Sequence, residues 1–197
     1  MLISLDMAAF HSLNGVWTNP FFDFIMPIIT TQSNWVPLLV ILWFLLLFGF
    51  SGRFRRLALG MAVVVALADQ ASSHLMKPLW GRQRPCCAAA EKRLLVPCSR
   101  SKSFPSSHAA NSAAVAALVW LEYGVCAGFP LACLSLVISY SRVYVGVHYP
   151  LDVLCGMLLG VCISYLVVLL SRRCCPIRTI RETHDPEGVE VKKECPI

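Results

Sequence analysis

Two histidines, one carboxylate and three cations stand out by type and spacing. Lys77 and Arg84 are separated by six residues, His108 closes Pro105-Ser106-Ser107-His108, and Arg142 precedes His148 by five intervening residues and Asp152 by nine. Charged and titratable side chains are costly near a bilayer, so their presence in an apolar chain needs a cause. Lys77, Arg84 and Arg142 suit a phosphate, the arginines through forked, bidentate donors. Ser106 and Ser107 stand where a helix begins, and the free amides and dipole there favour an anion. A pentavalent phosphorus transition state carries charge on its equatorial oxygens, which such donors stabilise. One histidine can attack phosphorus while the other protonates the leaving oxygen. The attacking imidazole needs its second nitrogen held by an acceptor. Asp152, four residues after His148 and just inside a helix begun at Pro150, can supply it. No carboxylate cluster is present to hold a metal, so the expectation is metal-independent chemistry with no cofactor.

The elements that must position these residues are membrane helices. The chain has 197 residues, 57% apolar and only 14% charged, with a mean hydropathy of +0.65. A soluble domain carries about a quarter charged residues. The reading is one membrane-embedded domain over 1–171 and a disordered cytoplasmic tail over 172–197, where mixed charge, Pro186 and Gly188 replace apolar residues. The start has no basic region and carries Asp6, so no cleavable signal peptide is expected.

The fold class read from this pattern is all-α, an integral membrane helical bundle. Five clear spans are expected at Trp35–Phe50, Leu57–Met76, Ser106–Tyr123, Val125–Tyr140 and Leu151–Leu170. Pro20 to Thr31, broken by Pro27, is a shorter sixth segment, read as partial or re-entrant. Met1 to Asn14 spaces Leu2, Leu5, Ala9 and Leu13 as a short interfacial helix would. Gly, Ala, Ser and Cys are frequent in the last four spans, as close helix packing in lipid prefers.

Orientation follows from the short basic loops. Arg53, Arg55 and Arg56 precede the second span, and Arg172 and Arg173 follow the last. Placing both groups in the cytoplasm sends 77–105 and 141–150 to the outer face, with every candidate site residue. That outer loop holds Lys77, Arg82, Arg84, Lys92, Arg93, Arg100 and Lys102 against Glu91 alone, a net +6. It runs against the positive-inside trend, and anion binding is a natural cause. A nucleic-acid partner is excluded, because no soluble basic face with aromatic platforms exists.

Other residues read as bland. Lys92, Arg93, Arg100 and Lys102 fit a head-group recruitment surface or solvated charge. Asp69 and His74 read as packed polar groups, and His11 and His184 as solvated. Cys126, Cys133, Cys155 and Cys162 read as small apolar core residues. Cys98 can pair with Cys86 or Cys87 if the loop faces an oxidising compartment.

Lys77-(six residues)-Arg84-Pro85, Pro105-Ser106-Ser107-His108 and Ser141-Arg142-(five residues)-His148-(three residues)-Asp152 together resemble the three-part signature of the type 2 phosphatidic acid phosphatase and vanadium haloperoxidase superfamily. The resemblance runs from about residue 35 to 170, and three motifs in order with the right spacing are specific. It implies that His148 is the nucleophile that forms a phosphohistidine, Asp152 its orienting acid and His108 the general acid. Lys77, Arg84, Ser106, Ser107 and Arg142 match the phosphate-binding set. Ser107 departs from the family, which commonly has Gly there. The resemblance implies a lipid phosphatase in the bacterial inner membrane with its site on the extracytoplasmic side. The substrate expected first is undecaprenyl diphosphate, with lipid A 1-phosphate, phosphatidylglycerol phosphate and phosphatidate as alternatives. A phosphotransferase that passes the phosphate to a second lipid, and a non-catalytic anion transporter or lipid-phosphate binder, are the competing classes. The haloperoxidase branch is soluble and is disfavoured.

Overall fold

The computed structural model describes residues 2–88 and 93–174, and these form helices and no strands. Nine α-helices run in order: α1 Leu2–His11, α2 Pro20–Thr30, α3 Val36–Phe48, α4 Gly52–Gln70, α5 Lys77–Trp80, α6 Pro85–Ala88, α7 Ser107–Tyr123, α8 Val125–Tyr144 and α9 Pro150–Cys174. Three helical stretches are long and apolar enough to cross a membrane: Gly52–Ala88, Val125–Tyr144 and Pro150–Arg173. α7, at 17 residues, is about 26 Å long, while α3 and α2 are shorter, at 13 and 11 residues.

α7 is the hub, packed against α4, α8 and α9. Its buried face is Ala109, Ala110, Ala113, Ala114 and Ala116, side chains short enough for three neighbours to approach. α9 answers with Gly156, Gly160 and Ser164, one small residue every four. A Cβ on Gly156 would stand 2.5 Å from the Ser106 carbonyl, and one on Gly160 would stand 2.1 Å from the Ala110 carbonyl. Ser164 Oγ donates to the Ala114 carbonyl at 2.6 Å. The two helices therefore run parallel at near-contact distance, as small-residue motifs in lipid allow. Their N-termini meet where Ser106 N donates to Asp152 O at 2.9 Å. α4 and α8 run the other way and end at the same level. The α7 and α9 ends of the site are thus fixed to each other by backbone contact.

Several elements differ from the sequence expectation. α8 continues to Tyr144, so Ser141 and Arg142 belong to its last turn rather than to a loop. α4 does not stop near Met76. A π-helical turn, Ala71–Met76, carries it into α5, so Lys77 projects from continuous helix. Such turns shift the register by one residue and re-aim the side chains of the next turn. Pro27 does not break α2, because losing one backbone donor in an 11-residue helix leaves the remaining bonds intact. α9 runs three residues past 171, through Arg172 and Arg173, and Arg172 pairs with Glu122 at 3.3 Å. The rest of the expected tail, with His184, lies outside the described residues.

α1 is turned differently from the expected interfacial helix. Ile3 and Leu5 face outward, 75% and 60% exposed, while Asp6, Phe10 and then Asn14 in the π-helical turn after α1 are buried. Phe10 packs edge-on against Tyr149 at 5.3 Å and joins a cluster with Ala109, Val143 and Val153. The helix is docked on the bundle by a stripe with a carboxylate in it.

Candidate active site

His148 lies in the short turn between α8 and α9 and is 1% exposed. Gly146 makes that turn, at φ +85°, in the left-handed region that costs glycine little. The Val147 and His148 amides both donate to the Arg142 carbonyl at 3.2 Å, so the imidazole is carried rigidly by the end of α8.

The two ring nitrogens meet different partners. Arg84 Nη1 stands 3.0 Å from Nε2 and donates to Val147 O at 3.2 Å. A guanidinium has donors only, so Nε2 must present its lone pair and the proton must sit on Nδ1. On that side Ser103 Oγ is 3.3 Å from Nδ1 and donates to Asp152 Oδ2 at 2.5 Å, whereas Nδ1 and Oδ2 are 3.6 Å apart. The hydrogen-bonded route from imidazole to carboxylate therefore passes through the Ser103 hydroxyl. Burial pushes the His148 imidazole down to about 3, with Arg84 and Arg142 adding to it and Asp152 pulling the other way. The ring is neutral, as a nucleophile must be.

Asp152 is fully buried, and both of its carboxylate oxygens are engaged. Oδ2 accepts from Ser103 Oγ and from Tyr149 N at 2.9 Å, and Oδ1 accepts from Arg82 Nη1 at 2.8 Å. Arg84, 5% exposed, is held by the Ser101 carbonyl and hydroxyl at 2.8 and 2.9 Å. Arg142 donates to the Thr30 carbonyl and hydroxyl at 3.2 and 2.7 Å, anchoring α2 to the site. Lys77 Nζ donates to Ser107 Oγ at 2.6 Å, and Ser72 and Ser73 reach the same oxygen at 2.9 and 3.0 Å. The side chain at this unusual position is thus engaged by α5 and the π-helical turn. His108 is half-buried, within electrostatic reach of Arg142, His148, Lys77 and Arg84. Among the described residues nothing hydrogen-bonds its ring, which leaves both nitrogens for a ligand.

All eight residues singled out by spacing converge here. One detail differs: the Ser106 amide is spent on Asp152 O, so the free amides at the start of α7 are those of Ser107, His108 and Ala109. Two buried polar atoms in the site have no partner, Ser106 Oγ and Arg142 Nε. Orphans of this kind are costly in a finished interior and suit a site that awaits a polar ligand. An apolar cleft of about 790 Å³ between α7, α8 and α9, lined by Ala113, Ala117, Trp120, Met157 and Tyr165, is a separate feature. At 100° per residue its α7 lining, Ala116 among it, lies roughly 80–180° around the helix from His108.

Three residues escaped the sequence reading: Arg82, Ser103 and Asp6. Arg82 and Ser103 lay within the basic loop without matching a motif. Asp6 was legible as an acid in an apolar segment, the usual sign of a buried partner. Arg93 is not solvated charge. It pairs with Asp23 and lies over the Tyr144 ring at 5.6 Å, because Asn14 holds its backbone at both N–H and C=O, each at 2.8 Å. Of the two partners open to Cys98, the structure selects Cys86, and Cys87 is free. Lys92 lies outside the described residues. Among those described, the one group of three candidate metal ligands is Cys86, Cys87 and Cys98, two of which form the disulfide.

Comparison with known proteins places this geometry. The family model described as the PAP2 superfamily matches residues 55–174. A lipid A 4'-phosphatase of Bacteroides thetaiotaomicron is 30% identical over 172 residues, covering 81% of this chain and 73% of that protein. An undecaprenyl-diphosphatase of Sulfolobus acidocaldarius is 32% identical over 151 residues, covering 75% and 68%. Among solved structures, the transmembrane PAP2-type phosphatidylglycerolphosphate phosphatase of Bacillus subtilis superposes with a TM-score of 0.72 at 25% identity, covering 90% of this chain and 89% of that one.

Proposed function

Since this chain belongs to the PAP2 superfamily, with lipid phosphatases among its relatives, we propose that it hydrolyses a lipid-linked phosphate or diphosphate at the outer membrane face through a phosphohistidine on His148. The observation that carries the reading is the polarity of the imidazole. Its lone pair is on Nε2, facing Arg84, and its proton is on the Asp152 side.

The substrate phosphate enters between Arg84, Arg142 and Lys77, replacing the contact from Arg84 to Nε2. Nε2 attacks phosphorus, the P–O bond to the lipid breaks, and His108 gives the leaving oxygen its proton. The new P–N bond makes the imidazole cationic, which Asp152 offsets through Ser103. Water then attacks phosphorus, His108 takes its proton, the P–N bond breaks, and inorganic phosphate leaves with His148 neutral again. Arginine, lysine and amide donors supply the transition-state stabilisation, so the reaction is metal-independent.

In this reading α3, α4 with its continuation, α7, α8 and α9 are the five spans, and α2 is a short sixth segment supporting Arg142. The Cys86–Cys98 disulfide supports an oxidising outer compartment for the loop. A bacterial inner membrane with an extracytoplasmic site fits these features. Undecaprenyl diphosphate is the first substrate, supported by the archaeal diphosphatase relative. A lipid A phosphate is the second reading, supported by the Bacteroides relative. Phosphate release from purified undecaprenyl diphosphate, lipid A, phosphatidylglycerol phosphate and phosphatidate tests the assignment. Release from none of them, or transfer to an acceptor lipid without free phosphate, would overturn it.

A further inference from the structure

The segment before residue 55 lies outside the family match, yet it reaches the centre of the site. Asp6, on α1, has a fully buried side chain. Its Oδ2 accepts from Arg82 Nη2 at 2.5 Å, and its Oδ1 accepts from the Leu151 amide at 2.9 Å. Arg82 Nη1 bonds Asp152 Oδ1 at 2.8 Å, and its guanidinium lies over the Tyr149 ring at 4.0 Å. One guanidinium thus bridges two buried carboxylates that are 146 positions apart in the chain. Removing the guanidinium would leave both carboxylates without their cation, and a buried charge that loses its partner is strongly unfavourable.

We propose that Asp6 and Arg82 are positioning residues for the reaction, acting through Asp152, so that the docked α1 is a working part of the active site. Arg82 occupies Oδ1 and thereby fixes the carboxylate rotation, which commits Oδ2 to Ser103 and the His148 side. Asp6 holds the Arg82 fork and the first turn of α9 together, so the Asp152 side chain and backbone are referenced to the same group. The positive charge of Arg82 keeps Asp152 from facing Asp6 unscreened. The burial of α1 supports this: it hides Asp6 and leaves Leu5 60% exposed, the reverse of a helix docked only by its apolar face.

The inference rests on His148 and Asp152 acting as proposed above, and the test separates the two claims. Full-length protein in detergent is assayed with undecaprenyl diphosphate, using wild type, His148→Ala, Asp6→Asn, Arg82→Ala and the Asp6→Asn/Arg82→Ala double variant. Arg82→Ala is expected to lower kcat by about 10- to 100-fold with KM within about twofold, a smaller loss than the ~10⁴-fold known for misorienting a catalytic imidazole. Millimolar methylguanidinium should restore part of that kcat, since Arg82 is 23% exposed and solvent can reach its place. It should do nothing for His148→Ala. The double variant should lose no more than the worse single variant. If Arg82→Ala does not reach the membrane, the isosteric Asp6→Asn decides alone by the same kcat-against-KM split. Arg82→Ala and Asp6→Asn at wild-type kcat, or a loss confined to KM, would overturn the inference while an inactive His148→Ala leaves the reaction assignment intact. An active His148→Ala would remove the assignment itself.

Discussion

Arg84 Nη1 stands 3.0 Å from His148 Nε2, and this contact fixes which nitrogen of the histidine is free to attack. A neutral imidazole offers one lone pair, and a guanidinium can only donate to it. The cation proposed to hold the phosphate would therefore also cap the proposed nucleophile before substrate arrives.

Ser103 should matter almost as much as Asp152. It sits between Nδ1 and Oδ2 at 3.3 and 2.5 Å, while the direct gap is 3.6 Å. Removing the hydroxyl leaves a buried carboxylate with one donor fewer and the imidazole proton without a close acceptor. Ser103→Ala is expected to reduce kcat by roughly 10²-fold or more, with Ser103→Thr recovering most of it. Steady-state kinetics on the two variants checks this, and equal rates for Ser103→Ala and wild type would remove the relay.

Helix packing sets the distance between the two halves of the site. Gly160 has the Ala110 carbonyl 2.1 Å from where its Cβ would be, so any side chain there must push α9 from α7. Gly160→Val should lower both melting temperature and activity. Gly52→Ala should change neither, because nothing lies within 4 Å of its added Cβ. Thermal unfolding in detergent, followed by residual activity, distinguishes the two.

Stability should fall as pH drops. The folded-state pKa of His148 is depressed to about 3 by burial, below the ordinary value of 6.5. Between those values the unfolded chain binds a proton that the folded one does not, so stability present above pH ~6.5 is lost as pH falls toward ~3. The melting temperature of wild type should therefore decline from pH 7 to 5 more steeply than that of His148→Gln. Parallel curves would contradict the buried neutral imidazole.

The spacing of the eight motif residues was legible because each motif lies within one segment, and because all three fell at one end of the predicted spans. The partners were less so. Arg82 meets Asp6 across 76 positions and Asp152 across 70, distances over which no periodicity carries information. Arg93 looked like solvated charge because its acceptor, Asp23, is 70 positions upstream and is brought to it by Asn14. The orientation of α1 was hidden for the same reason. Its apolar spacing is real, but docking on the active site buries Asp6 instead of Leu5. The helices run past Met76 and Tyr140 because charged residues such as Lys77 and Arg142 remain helical when they face a polar site rather than lipid.

Vanadate should inhibit by adopting the phosphorane geometry on His148, and EDTA should leave the rate unchanged. Phosphate release with each additive reports directly. Complete loss with EDTA, restored by a divalent ion, would contradict the metal-independent scheme.

The central claim is a covalent phosphate on His148. A diphosphate expels a phosphate oxygen that departs readily without a proton, so His108→Ala should still take up the label while losing the base for hydrolysis. Undecaprenyl diphosphate radiolabelled in its terminal phosphate, mixed with His108→Ala and quenched in alkali, should give an acid-labile, base-stable label on the protein. The label should map to His148 and vanish in the His108→Ala/His148→Ala double variant. A label that persists in the double variant, or an active enzyme that never carries one, would contradict the account.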